Sequence, residues 1–254
     1  MLLDTIHGTI ERRVLLNYRL DPAVLLRVLP SPFRPKLWAG YGIGGVCMIR
    51  FAHLRPRFVP RWFGVGSENA AHRIAVEWEQ DGALREGVFI PRRDTNSAFN
   101  RVLGGRVFPG IFSGARFDAR ESPTSIAIRI VRGDGGTELA LAAHVVDTLP
   151  SGTVFTSVAA AANFFSLGAT GYSATRNPAH YHGMELHSLN WSVTALAIDE
   201  AQSAFFDDVS RFPAGSATLD CALLMRGIEH EWHSRPDLYV AANGASFTTD
   251  RSKA

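Results

Sequence analysis

What most limits how this chain can fold is a series of short alternating apolar runs broken by turn signals, clearest between Gly66 and Gly114. Ile74, Val76 and Trp78 alternate with polar residues, the period-two pattern of a strand with one buried face. Asp81-Gly82 marks a tight turn, and Val88-Phe89-Ile90 resumes the apolar run until Pro91 ends it. Arg92-Arg93-Asp94 follow. Thr95 to Leu103 then read as a short helix closed by Gly104-Gly105, and Phe108-Pro109-Gly110 leads out. Glu68 opens the stretch with no opposite charge beside it in sequence. Polar groups thus gather where strands end, a common place for sites.

The same grammar runs through the rest of the chain. Thr9 to Leu20 reads as a strand, and Asp21-Pro22 starts a helix over Ala23 to Leu29, with Asp as cap and Pro in the first turn. Trp38 to Phe51 is a Gly-rich apolar strand, and His53 to Trp62 an irregular Pro- and Arg-rich loop. Ala115 to Phe117, Ser125 to Arg132 and Thr137 to Val146 are strand candidates, the last two joined by the hairpin signal Asp134-Gly135-Gly136. Ser157 caps a helix reaching Leu167. Tyr181 to Ile198 reads as one long strand, and Asp199 as the cap of a helix from Glu200 to Asp207. Ala217 to Met225 and Ile228 to Trp232 are two further strands, and the polar tail from Asn243 is expected to fray. Nothing resembles a linker or an internal repeat. The prediction is one α+β domain over residues 1–242, mainly antiparallel β, a curved or closed barrel with a few short flanking helices, followed by a tail over 243–254.

Charge narrows the function classes. The 26 basic and 24 acidic residues leave a net charge of +2, too little to predict nucleic-acid binding. No apolar run reaches the length of a membrane span, and no leader-like pattern opens the sequence, so the expectation is a cytoplasmic protein without a membrane partner. Cys47 and Cys221 both lie in apolar runs and read as buried free thiols. Lys36 and Lys253 are the only lysines. Composition bias explains that economically, but arginine is also the residue for bidentate recognition of carboxylates.

Three constellations of residues could carry chemistry. No G-x-S-x-G is present, and neither cysteine has a histidine beside it, so nucleophilic serine or cysteine chemistry is not expected. His180 and His182 share a strand face near Glu185 and His187, with His230 and His233 further on. That spacing allows two imidazoles on one ion, but polar strand residues explain it more simply and no metal is expected. Arg12, Arg13, Arg50, Arg73, Arg92, Arg93, Glu68 and Asp94 form the third set. It reads either as a surface lattice of ion pairs or as a carboxylate pocket with Glu68 as acid or base.

Four segments carry a resemblance. Arg12-Arg13 through NYRLDPAVLLRVLPSPF, SENAAHRIAV, VFIPRRDTNSAFNRVLGGRVFPG and LDCALLMRGIEHEW together resemble the DUF2071 group and, through it, the acetoacetate decarboxylase-like superfamily. The resemblance spans roughly residues 9 to 233 and implies that superfamily's fold, a small-molecule pocket and a tendency to form homo-oligomers. It places the pocket glutamate at Glu68 and a substrate-binding arginine at Arg12 or Arg13, with Arg93, Phe108, Pro109 and Gly110 around the ligand. The decarboxylases follow the proline of this turn with two adjacent lysines, one of which forms an imine with the substrate. Here Gly110-Ile111 stand there. The implied function is therefore a pocket for an oxo- or carboxylate-bearing compound, without Schiff-base decarboxylation and without a cofactor. Any catalysis would be non-covalent acid/base chemistry through Glu68, of a lyase, hydratase or tautomerase kind. The alternatives are a non-catalytic binding module and a structural oligomer subunit.

Overall fold

The computed structural model describes residues 5–80, 82–98, 110–167, 169–188, 190–240 and 246–249, the last four as backbone only. Among them are two α-helices, and most of the rest is strand. The order is β1 (Thr5–Leu20), α1 (Pro22–Val28), the two-residue strands β2 (Arg34–Pro35) and β3 (Leu37–Trp38), β4 (Tyr41–Pro56), β5 (Val65–Gln80) and β6 (Ala83–Thr95). Then come β7 (Phe112–Glu121), β8 (Ser125–Arg132), β9 (Thr137–Val146), α2 (Val158–Leu167), β10 (Thr170–Ala174), β11 (His180–Ser188), β12 (Thr194–Ser203), β13 (Ala217–Val240) and β14 (Ser246–Thr249).

The strands hydrogen-bond into one sheet whose pairings return on themselves, from β1 through β4, β5, β6, β10, β11 and β13 back to β1. A second path leaves β6 through β7, β8, β9 and β12 and rejoins β13. β6 pairs in parallel with β10 and with β7, and the other ladders are antiparallel.

Local chemistry explains the elements that position the site. Asp21 Oδ1 accepts from the amides of Ala23 at 2.7 Å and Val24 at 3.3 Å, and Pro22 occupies the first turn of α1. Ser157 Oγ accepts from Ala160 N at 3.0 Å and caps α2. Gly135, at φ 86°, supplies the left-handed residue that the β8–β9 hairpin needs.

Side chains alternate across the sheet and feed two apolar cores. Val14, Leu16, Tyr18 and Leu20 of β1 join one, with Met48, Ile74 and Trp78. Leu15 joins the other, with Cys47, Ile49, Ala71 and Ala75, and α2 adds Phe164 and Phe165. Near its start β1 is bulged: Ile10 lies opposite Phe51 and Arg12 opposite Arg50, so Glu11 has no partner on β4.

Several expectations need correction. The segment predicted as a helix from Glu200 is instead the end of β12, held by pairing to β9, and Asp199 caps nothing helical. Tyr181 to Ile198 is two strands, β11 and β12, which pair with different stretches of β13 and, on their other sides, with β10 and β9. The two strands foreseen between Ala217 and Trp232 are one, β13, which absorbs Gly227 at φ 63° opposite the Glu11 bulge. Within the tail, residues 246–249 pair with β13. Thr95 closes β6 rather than opening a helix. The remainder of that predicted helix, with Phe108 and Pro109, lies outside the described residues.

Candidate functional site

The bulge at Glu11 decides where the two adjacent arginines of β1 go. Arg12 stands in a row that crosses four strands, Arg226 on β13, Arg12 on β1, Arg50 on β4 and Glu68 on β5, each directly opposite the next. Three guanidiniums side by side would repel, and carboxylates tie them together. Glu68 bonds Arg12 through one oxygen and Arg50 Nε through the other, the latter at 2.7 Å. Glu121, from the end of β7, meets Arg12 at 3.4 Å, Arg226 at 3.5 Å and also Arg50. Arg12 is 1% exposed, while Arg50 and Arg226 keep contact with solvent, so the network ties β1, β5 and β7 together around one buried guanidinium.

The opposite face of the same strands holds a cavity of about 210 Å³. Arg13, Arg73 and Arg93 line it; Arg12 and Glu68 do not. Their positions follow from register. Cys47 on β4, Ala71 on β5, Arg93 on β6 and Phe112 on β7 form one row. Arg13 lies opposite Ile49, and Arg73 opposite Gly45, one step to either side of Cys47 along β4. The three guanidiniums therefore surround the wall around Cys47.

Their partners are mostly uncharged. Arg13 Nε donates to Cys47 Sγ at 3.3 Å, and its guanidinium lies 5.2 Å over the Trp191 ring. Arg73 Nη2 donates to Asn17 Oδ1 at 2.6 Å, with the head 4.6 Å over Phe165. Arg93 donates to Ser173 Oγ from Nη2 at 3.1 Å. None of the described lining residues is acidic. Burial, with Arg13 nearby adding to it, lowers Arg73 to about 10, and burial lowers Arg93 as well. Arg13 Nη1, Arg73 Nε, Ser188 Oγ, Trp191 Nε1 and Trp232 Nε1 are all buried in or beside this cavity without a hydrogen-bond partner among the described residues. Such groups are costly to leave unsatisfied.

Gly110 sits over one end of this wall. Its φ is 97°, and a Cβ there would fall 2.8 Å from Ser173 Cβ and 3.5 Å from Arg93 Nε, so the position has no room for a side chain. Its amide donates to His182 Nδ1 at 3.3 Å. Ile111 is 46% exposed. Lys36 pairs with Glu86 at 2.5 Å and borders a small side cavity shared with Arg13 and Arg73.

The histidines group differently from the sequence pattern. His180 Nε2 meets Asp237 Oδ2 at 2.8 Å and stacks on Tyr239. His180, His182 and Asp237 place three potential ligand atoms within 4.8 Å of one another. Glu185 goes instead to Arg235, and His187 lies 3.5 Å from Glu185. A second such group, His72, Asp94 and Glu138, is fully buried, but Arg92 reaches both carboxylates at 2.8 and 2.9 Å and Arg132 reaches Glu138 at 3.6 Å. There, two guanidiniums already balance the two carboxylates.

The sequence placed Arg13, Arg73 and Arg93 in one candidate set but gave no site role to Cys47 or the two tryptophans. The signal for Arg73 was present, since it alternates in register with Ala71 and Ala75 of the cavity face. Arg13 and Cys47, however, are 34 residues apart and meet only through the β1–β4 register.

No protein-family model matches this chain, and no curated protein matches it in sequence. Solved structures do resemble it. An acetoacetate decarboxylase-like enzyme from Sphingomonas wittichii RW1 superposes with a TM-score of 0.58 at 12% identity, covering 91% of both chains. The enduracididine biosynthesis enzyme MppR complexed with pyruvate gives 0.60 at 9% identity, over 92% of this chain and 90% of its own. The acetoacetate decarboxylase of Legionella pneumophila gives 0.56 at 9% identity, over 91% and 86%. At these identities the likeness concerns the fold alone, and the fold of this chain is that of the acetoacetate decarboxylase-like proteins.

Proposed function

We propose that the cavity binds a small carboxylate- or oxo-bearing compound with an apolar body. The observation that carries this is the mismatch between donors and acceptors: three guanidiniums and three further unpartnered donors face a space whose described walls hold no acid. A ligand rich in acceptors relieves the mismatch, and a carboxylate also relieves the charge. The indoles of Trp191 and Trp232 and the ring of Phe165 suit an apolar body between the polar contacts. A pyruvate complex of a protein with the same fold supports this ligand class.

In this reading Glu68 is an anchor of β1, because both its oxygens are engaged by arginines on the face away from the cavity. That favours a binding or positioning role over the acid/base role expected from the resemblance. Gly110, with no room for a side chain, fits a site that does not form an imine at this turn. We also propose that the protein forms a homo-oligomer. The exposed Phe58, Trp62 and Phe63 offer apolar surface for contact between copies, and light scattering after gel filtration measures it.

The test is thermal stabilisation by pyruvate, benzoate and phenylpyruvate against their neutral methyl esters. Stabilisation by the acids and not the esters is expected. Equal effects, or none from any acid, would remove the carboxylate reading.

A further inference from the structure

We propose that Cys47 is a nucleophile of the cavity, adding reversibly to the carbonyl carbon of a bound oxo compound. The proposal rests on the binding reading above for its ligand and on separate geometry for the sulfur. Cys47 is 4% exposed to the outside, yet it forms part of the cavity wall. Arg13 Nε donates to its Sγ at 3.3 Å, so a sulfur lone pair, not the S–H bond, points at that guanidinium. Arg73 stands on the next strand and Arg93 on the one beyond it, in the same row as Cys47, and none of the described residues lining the cavity is a carboxylate. An electropositive surrounding of this kind marks reactive cysteines.

The second observation is Arg73. It is 5% exposed, lines the same cavity, and its Nε has no hydrogen-bond partner among the described residues. A carbonyl oxygen seated against Arg73 would bring its carbon toward the sulfur, and charge developing on that oxygen would meet a fixed guanidinium. The other cysteine supplies the contrast. Cys221 is 0% exposed, contacts Asn17, lies next to Asp220 and is absent from the cavity wall; burial first, then Asp220, pushes its thiol up to about 12.

The step balances without a co-reactant. An S–C bond forms as the carbonyl π bond breaks, the thiol proton ends on the former carbonyl oxygen, and the product is a thiohemiketal. Nothing is oxidised or reduced and no group leaves. The adduct occupies the place that an imine would hold in a lysine-dependent enzyme, but it is formed from β4 rather than from the turn at Gly110.

Two measurements on the intact protein test this. The first compares alkylation of Cys47 and Cys221 by iodoacetate and iodoacetamide, read by peptide mass spectrometry. Cys47 is expected to react, with iodoacetate favoured on the order of tenfold over its ratio for free cysteine because the cavity concentrates anions, and pyruvate is expected to slow it. Labelling of Cys47 no faster than Cys221, or no preference for the anionic reagent, overturns the proposal. The second follows pyruvate carbon-13 labelled at C2 by NMR. A bound signal outside the carbonyl region is expected, lost in both Cys47→Ser and Cys47→Ala, with folding of both variants checked by circular dichroism. Bound pyruvate that keeps a carbonyl signal, or a tetrahedral signal that survives in folded Cys47→Ser, also overturns it. If no acid stabilises the protein, the binding reading fails on its own, and the alkylation rates still decide the role of the sulfur.

Discussion

Arg12 and Arg13 are consecutive and serve opposite faces of β1: Arg12, itself buried, bonds Glu68 in an ion-pair network that reaches the surface, while Arg13 donates to Cys47 Sγ in the wall of a cavity. The unpaired Glu11 sets this division. A shift of one residue in the β1 register would exchange the two roles, since side-chain direction alternates with a period of two.

Arg73→Met is expected to raise stability and weaken ligand binding. Arg73 is held at about 10 by burial, below its ordinary value of 12.5. A base with a depressed folded-state pKa disfavours folding at every pH below that value. Its removal can therefore return up to about 3 kcal/mol at neutral pH, less whatever Asn17 loses. A melting temperature higher by several degrees is expected, with carboxylate affinity lower by about 10- to 100-fold. Isothermal titration and thermal melts check both; a variant that melts lower and binds as before would contradict the assignment of Arg73 to the ligand.

Glu68→Gln should do the reverse. It leaves Arg12, 1% exposed, with Glu121 at 3.4 Å as its acidic neighbour among the described residues. Breaking a buried pair from one side costs about 3 kcal/mol or more. The expected result is a lower urea midpoint with affinity for carboxylates retained. Unchanged stability together with lost binding or turnover would return Glu68 to the chemistry of the site.

His230 governs part of the acid response. It is 2% exposed against Phe51, and burial lowers it from 6.5 to about 4. The unfolded chain thus takes up the proton first, so stability falls as pH drops from 6.5 toward 4 and this contribution is flat above and below. At pH 5 the loss is about 2 kcal/mol. Urea titrations of the wild type and His230→Phe at pH 7.5 and pH 5 should differ by that amount in their pH dependence. Parallel curves would rule His230 out.

Lys36 is expected to give no borohydride-reduced adduct with acetoacetate. Its ammonium is paired with Glu86 and lies 5.1 Å over the Phe164 ring, facing a side cavity of about 40 Å³. A reduced adduct mapped to Lys36 by peptide mass spectrometry would restore imine chemistry from an unexpected position, between β2 and β3.

What the sequence disclosed was local. The Asp21-Pro22 cap, the Ser157 cap and the Asp134-Gly135-Gly136 turn act within a few residues and are visible as such. What it concealed depends on partners. Residues 199–203 have a helix-like composition, and only the ladder to β9 makes them strand. Gly227 looks like a break, yet it pairs off against the Glu11 bulge in a continuous β13. The same holds at the site: Arg13 and Arg93 were recognisable as candidates, whereas the cluster around Cys47 exists only once β1, β4, β5 and β6 are in register.

The pairing of β1 with β13 also has a consequence during synthesis. Thr9 bonds Glu229 across 220 residues of sequence, so one edge of β1 has no partner until nearly all of the described chain exists. At usual elongation rates that interval is on the order of ten to forty seconds. Throughout it β1 carries an open row of amides and carbonyls flanked by Val14, Leu15 and Leu16, a template for the wrong strand. The last long strand of the sheet therefore completes the fold and also ends the nascent chain's period of greatest exposure to aggregation.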